Sequence, residues 1–223
     1  MPIHCASPLP ADGRAATGLA RRSLLLGGLL ALAGCTYSML PKVQEPMALY
    51  TLRPKTSFPD TLPNVSWQLV VELPTAAAGI NNSRIALSHD PFILEYYAKA
   101  SWTDNAPGMV QTLLIESFER TGKIAAVGPE SVGLRPDYIL KSYLWECQAD
   151  YRDGDPIPTV VVRMSAKLVA MPERRIAGSI TSQKSVRAPG SRFADVLNAF
   201  NDALGHVLRD VVVMTLTAPL PAG

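Results

Sequence analysis

The 223-residue chain is nearly neutral, with 21 Lys and Arg residues, 19 Asp and Glu residues and a formal net charge of +2. Because its basic residues do not form a stripe that could follow a phosphate backbone, this composition argues against nucleic-acid binding. With three cysteines and 48% hydrophobic residues, the chain must be stabilised by a packed core rather than by a disulfide framework.

The N-terminal segment has the three parts of a bacterial lipoprotein signal peptide. Arg21 and Arg22 precede the apolar run 24–34, and a Leu-Ala-Gly-Cys box ends at Cys35. The apolar run is too short to cross a bilayer, which takes about 20 apolar residues. We therefore expect cleavage between Gly34 and Cys35. A diacylglycerol and an N-acyl chain would then be attached to Cys35, and palmitate would be one of the acyl groups.

The sequence also bears on the export route and on the final membrane. The alternative to a lipoprotein is an ordinary secreted protein with a chance cysteine at the cleavage region. The Arg21-Arg22 pair also fits a twin-arginine export signal, although paired arginines occur in ordinary signals too. Thr36, rather than an acidic residue, follows the predicted lipidated cysteine, which favours transfer to the outer membrane in enterobacteria.

Cleavage at this site would leave a mature chain with no net formal charge. Residues 1–34 carry three arginines and one aspartate, so 18 basic and 18 acidic residues remain. The remaining cysteines are Cys35, whose sulfur would be acylated, and Cys147, so no internal disulfide is possible. We expect a lipidated tether over residues 35–46, one domain over residues 47–217 and a tail over residues 218–223.

The first part of the predicted domain is rich in short strands. Residues 47–52 are typical of a strand. In 65–73 every second residue is apolar, which predicts a half-buried strand whose inner face carries Val65, Trp67, Leu69, Val71 and Leu73. Residues 84–88 and 92–98 are two further β-like stretches. The turn signal at 89–91 between them predicts a hairpin.

A helix is predicted over residues 105–122. Its apolar residues have the spacing of one helical face: Met109, Val110, Leu113, Leu114 and Phe118. Asp104 or Asn105 can cap its first turn, and Gly122 can end it in a left-handed conformation. Residues 123–127 then return to a strand pattern.

The second part of the domain is predicted to be a three-stranded antiparallel meander followed by a long helix. Residues 138–151, 159–170 and 176–186 alternate apolar and polar positions. Residues 191–214 carry an apolar stripe: Phe193, Val196, Leu197, Phe200, Leu204, Val207, Leu208 and Val211. These elements predict an α+β fold in which an antiparallel or mixed β-sheet is packed on one face by two main helices.

Several sequence segments, in their order along the chain, carry a family resemblance. They are Tyr50-Thr51-Leu52, Arg84-Ile85-Ala86, Leu94-Glu95-Tyr96-Tyr97-Ala98 with Trp102, Val110-Gln111-Thr112-Leu113-Leu114, Thr121-Gly122 with Ala126-Val127, Pro136-Asp137-Tyr138-Ile139-Leu140, and Ala166-Lys167-Leu168-Val169. Together with the predicted lipidation site, they resemble the ABC-type transport auxiliary lipoproteins, the PqiC/YmbA-like family. Members often have a glycine in the turn at 172–175, where this chain has none.

The resemblance implies a periplasmic subunit that is lipid-anchored to the periplasmic face of the outer membrane. Such a subunit is an auxiliary component of an ABC/Mce-type system that moves lipids between membranes. Its expected partners are a Mce-domain protein and an inner-membrane permease complex, and a homo-oligomer is left open. The chain has no GxxxxGK[ST] phosphate loop, so the resemblance assigns the ATPase to another subunit.

The residues that could support catalysis are few. His89 and His206 are the two histidines of the mature chain, and neither a GxSxG nor a HExxH motif occurs. We therefore predict no enzymatic activity, no metal site and no cofactor beyond the acyl chains on Cys35. Cys147 is interpreted as a buried small hydrophobe. Three carboxylates are interpreted as part of a hairpin turn rather than a cation loop: Asp150, Asp153 and Asp155.

Three aromatic residues are candidates for contact with a partner or a lipid. Tyr96, Tyr97 and Trp102 lie near a predicted turn, and aromatic side chains with polar tips suit interfaces. Packing in the core is the alternative for at least some of them. Two other functions stay open at this point: a structural lipoprotein that supports envelope integrity or outer-membrane assembly without lipid transfer, and a lipid-anchored hydrolase.

Overall fold

A computed structural model describes residues 46–152 and 154–218. They belong to one compact unit that begins at Pro46. The predicted signal peptide, its cleavage site at Gly34 and the lipidation site at Cys35 lie outside the described residues, as does Asp153.

The described part of the chain forms nine strands and two α-helices. The strands are β1 (Ala48–Tyr50), β2 (Val65–Val71), β3 (Thr75–Ala76), β4 (Arg84–Asp90), β5 (Ile93–Trp102), β6 (Ile124–Gly128), β7 (Tyr138–Asp150), β8 (Thr159–Ala170) and β9 (Arg175–Arg187). The helices are α1 (Ala106–Thr121) and α2 (Phe193–Thr217), and a short 3-10 turn lies at Glu130–Val132. The α+β class predicted from the sequence is confirmed.

β7 is the strand around which the sheet is organised. Along one edge it pairs antiparallel with β8, and β8 pairs antiparallel with β9, which confirms the predicted meander. Its other edge is met in turn by β2, β3 and β4, all parallel to it. β6 extends the sheet from β2, whereas β5 and then β1 extend it from β4. The sheet is therefore mixed.

The core lies between this sheet and the two helices. On β8 every second side chain is buried: Val160, Val162, Met164, Ala166 and Leu168. The C-terminal helix α2 packs over β8 and β9, while α1 packs near β2 and β6 and also contacts α2. Trp102 and Phe200 meet edge-to-face in this core, with their ring centroids 5.4 Å apart. A helix layer on an amphipathic sheet is the arrangement that buries both apolar faces.

The ends of α1 follow the sequence prediction. The side chain of Asn105 accepts a hydrogen bond of 2.7 Å from the backbone N–H of Gly108, which satisfies a helix N–H that has no partner within the helix. Gly122 ends the helix with φ of 61°, the left-handed conformation that glycine adopts without a Cβ clash.

Several boundaries differ from their predictions, and the largest difference is at β5, which continues to Trp102 instead of ending at residue 98. The helix α2 begins at Phe193 and continues to Thr217, because Thr215 and Leu216 are still buried in its last turn. β2 ends at Val71, and Leu73, predicted to face the core, is 55% exposed. The proline that follows Leu73 has no N–H to donate to a sheet, which disfavours continuation of the strand.

The β8–β9 turn contains a residue in a conformation that favours glycine. Arg174 has φ of 58°, which costs a non-glycine residue about 1–2 kcal/mol. We expect Arg174→Gly to raise the free energy of unfolding by about 0.5–1 kcal/mol. This is the strain that is relieved minus the entropic cost of the more flexible glycine in the unfolded chain. Urea unfolding measures the difference. Arg174→Ala keeps the left-handed strain and should give no such gain, and an equal gain from both variants would contradict this explanation.

Candidate functional site

A bulge in β5 separates the aromatic residues that the sequence placed together. Ala86 of β4 is paired with Tyr96, but Arg84, two residues earlier, is paired with Ser101. Five steps along β5 therefore oppose two steps along β4, and the residues from Tyr97 to Ala100 leave the regular ladder. Such bulges redirect side chains that a regular strand would alternate between its two faces.

The bulge forms one wall of an open pocket of about 290 Å³. The pocket is lined by Tyr50, Tyr97, Ala98, Lys99, Ala100, Tyr151, Ser191 and Phe193. Tyr50 reaches it because β1 pairs with the end of β5, and Phe193 reaches it as the first residue of α2. Strand, bulge and helix therefore contribute one aromatic side chain each.

Tyr97 is the central side chain of this pocket. Its ring meets Phe193 edge-to-face at a centroid distance of 4.9 Å, and its hydroxyl lies 2.8 Å from the hydroxyl of Tyr151. Burial, followed by this hydrogen bond, raises the pKa of Tyr97 above its ordinary value. The phenol is therefore neutral at physiological pH. The pocket combines apolar ring faces with hydroxyls that can donate or accept, a combination suited to binding an amphipathic group.

The other two predicted contact residues have different surroundings. Tyr96 is half-buried: its hydroxyl donates a 2.7 Å hydrogen bond to the carbonyl of Gly79, and the guanidinium of Arg84 lies 3.6 Å from its ring centroid. Trp102 is only 2% exposed and belongs to the core. The structure thus leaves Tyr96 and Tyr97 as the candidates for contact with a lipid or a partner.

The most exposed apolar residues of the neighbourhood were missed in the sequence analysis. Phe92 is 95% exposed, Ile93 57% and Leu94 37%, and we call these three consecutive residues the hairpin tip. The sequence predicts only that they begin a short β-like stretch of a hairpin. A signal was nevertheless present, because three apolar residues in succession directly after an Asp-Pro turn do not alternate as a strand with one wet face should.

The carboxylates of the β7–β8 turn are bound by arginines. Asp150 accepts a 2.8 Å hydrogen bond from Arg152, and Asp155 accepts one of 2.6 Å from Arg187. The backbone N–H of Ile157 and then Arg187 lower the pKa of Asp155. Within residues 46–152 and 154–218, no cluster of three or more His, Cys, Asp or Glu side chains could hold a metal ion. The turn connects a β-hairpin, as the sequence predicts.

The thiol of Cys147 and the two histidines of the described residues have separate surroundings. Cys147 is buried, as predicted, and burial raises the pKa of its thiol to about 12, so it is protonated at neutral pH. Nδ1 of His89 lies 2.7 Å from a carboxylate oxygen of Glu95, and its ring stacks on Tyr151. His206 is exposed on α2. These contacts do not bring a base to the thiol.

The fold and its sequence agree with a known family of envelope proteins. The family model described as ABC-type transport auxiliary lipoprotein component matches residues 50–212, which cover β2 to β9, α1 and most of α2. The chain belongs to this family. It is a family of transport auxiliary lipoproteins and not a known enzyme family.

Solved structures share the fold. A Xanthomonas campestris protein of the DUF330 family is 31% identical, with a TM-score of 0.71 over 76% of this chain and 94% of that chain. An uncharacterized protein, 10% identical, has a TM-score of 0.60 over 75% of this chain and 97% of that chain. Among curated protein sequences there is no match.

The family membership is consistent with an envelope lipoprotein. Neither α1 nor α2, the helices of the described residues, combines the length and apolarity that crossing a bilayer would take. The family description names a lipoprotein component, which associates the chain with the cell envelope and with an ABC-type transport system.

Proposed function

We propose that this protein is an outer-membrane-anchored periplasmic lipoprotein that serves as an auxiliary component of an ABC/Mce-type intermembrane lipid transport system. The family match over residues 50–212 carries the proposal, because it assigns an auxiliary transport role to nearly the whole described domain. The transported lipid, the Mce-domain partner and the outer membrane go beyond what that match states.

The predicted lipid anchor would place the domain where the proposed role requires it. Acyl chains on Cys35 would hold the domain at the membrane surface, and several chains per protein make such anchoring effectively irreversible. Thr36 after the lipidated cysteine supports the outer membrane as the destination. In this arrangement the folded domain faces the periplasm, where a Mce-domain protein and an inner-membrane permease complex would contact it.

The chemistry of the described residues supports binding. The pocket around Tyr97 offers hydroxyls and aromatic faces, and the thiol of Cys147 is buried and protonated. An auxiliary subunit needs surfaces that contact a lipid or a protein, and Tyr96 and Tyr97 are the residues that we propose for this contact. Burial of the Cys147 thiol argues against a hydrolase that would use it as the nucleophile.

Affinity purification from envelopes tests the proposal. The mature lipoprotein, carrying a C-terminal tag, is cross-linked in intact cells, and its partners are identified by mass spectrometry. We expect a Mce-domain protein and permease subunits to be enriched over a bait that is an unrelated outer-membrane lipoprotein with the same tag.

A different set of partners would contradict the transport proposal. If those partners are consistently absent while outer-membrane assembly or peptidoglycan-binding proteins are enriched, the protein is a structural envelope lipoprotein and the transport proposal is wrong.

A further inference from the structure

The hairpin tip projects from one end of the sheet. β4 runs parallel to β7, and the pair Ser88–Asp150 places the end of β4 beside the end of β7. The hairpin then turns between the paired residues Asp90 and Ile93. The tip therefore lies beyond the last residue of the strand that organises the sheet.

The tip is held in shape by hydrogen bonds at its base. The hydroxyl of Ser88 donates a 2.6 Å bond to the carbonyl of Asp90, and the side chain of Asp90 accepts one of 2.8 Å from the N–H of Phe92. His89 and Glu95 form a further pair across the two strands. Phe92 is thus presented to solvent by an ordered turn.

The chain enters the domain from the same side. β1 is parallel to β5, and its first pair joins Ala48 to Ala100, seven residues beyond Ile93. At a rise of about 3.3 Å per residue, the start of β1 is at most about 23 Å from the tip along the strand, because the bulge in β5 shortens this distance, and the N-terminal end of β1 faces the tip. The 13 residue-to-residue steps from Cys35 to Ala48 can span at most about 43–47 Å.

These distances allow the tip and the predicted acyl anchor to contact the same membrane. A lipid attached at Cys35 can lie in the same bilayer surface that the tip touches, with chain length to spare. The charged side chains that flank the tip along the hairpin, Asp90 and Glu95, are acidic, and Glu95 is paired with His89. Arg152 lines a pocket with Asp90 at the base of the tip and is paired with Asp150. The tip therefore offers apolar surface and no basic patch to an interface.

We propose that Phe92, Ile93 and Leu94 insert into the interfacial region of the anchoring membrane and fix the orientation of the domain. The inference rests on the lipid anchor of the proposed function. The tip contacts the lipid surface itself, and this contact is apolar. Insertion should therefore not depend on anionic lipids or be released by salt.

Site-specific fluorescence on the acylated, full-length mature protein tests the inference. Ile93→Cys and Ile176→Cys are each labelled with bimane and reconstituted in vesicles of phosphatidylethanolamine and phosphatidylcholine with nitroxide-labelled lipid. Ile176, 56% exposed, is a matched control for Ile93, because β8 pairs it with the opposite end of β7. Cys35 is acylated and Cys147 is buried, so neither should take up the label.

We expect the probe at position 93 to shift to the blue and to lose most of its fluorescence to the nitroxide, and the probe at position 176 to do neither. Adding phosphatidylglycerol or salt should leave this difference unchanged. Vesicle sedimentation is measured on the same samples, so that anchoring and tip insertion are read separately.

Three results would overturn the inference. If the protein sediments with vesicles but position 93 is not quenched, the anchor holds and the tip faces water or a protein partner. Equal quenching at both positions would show that the tip does not orient the domain. If the protein does not sediment, the anchor itself fails, and the tip inference falls with it.

Discussion

Cys35→Ser is expected to abolish acylation of the protein. The thioether to diacylglycerol requires the sulfur of the predicted lipidation site, and a serine hydroxyl cannot replace it. Metabolic labelling with radioactive palmitate, followed by immunoprecipitation, should give a labelled band for the natural sequence and none for the variant. An inhibitor of the lipoprotein signal peptidase should likewise delay maturation of the natural sequence alone.

Cys5 provides the matched control for this prediction. It lies in the leader that cleavage before Cys35 would remove, so Cys5→Ser should incorporate palmitate like the natural sequence. Palmitate incorporation that survives in Cys35→Ser would place the acylation elsewhere. It would also remove the basis for the proposed anchor.

Phe200→Ala is expected to lower the free energy of unfolding by about 3–5 kcal/mol, as large-to-small changes of buried aromatics do. Phe200 is fully buried on α2 and meets the edge of Trp102 in the core. Its removal loses apolar contacts and leaves a cavity between the C-terminal helix and the sheet. Urea unfolding, with the midpoint and the slope both measured, gives the change.

Phe92→Ala is the control with the same chemical change on the surface. Phe92 is 95% exposed, so its truncation should alter the free energy of unfolding by no more than about 0.5 kcal/mol. A similar loss of stability in both variants would contradict the burial that distinguishes these two phenylalanines. The control also shows that residues of the hairpin tip can be changed without unfolding the domain.

The elements best predicted from sequence are those whose signals are local. The caps at Asn105 and Gly122 set the ends of α1, and the alternation along β8 identified its buried face. The end of α2 was less predictable, because the burial of Leu216 depends on the sheet beneath it.

The candidate site was only partly predictable. The three predicted contact residues are close in sequence, but the bulge in β5 gives them different surroundings. Tyr96 is half-buried, Tyr97 lines the pocket and Trp102 lies in the core. Tyr50, Tyr151 and Phe193 join Tyr97 only because the sheet and α2 bring distant segments together. A pattern within one strand carries no information about such partners.

The sequence by itself determined the α+β class and the order of the helices and of the strands other than β3, because these depend on residue type and local periodicity; the lipidation site at Cys35 stays a prediction. Only the tertiary structure decided which strand joins the parallel and antiparallel parts of the sheet. It also decided which aromatic residues are available for contact. Pairing along β7 and the bulge in β5 are long-range choices, since they depend on hydrogen bonds and burial between segments far apart in the chain.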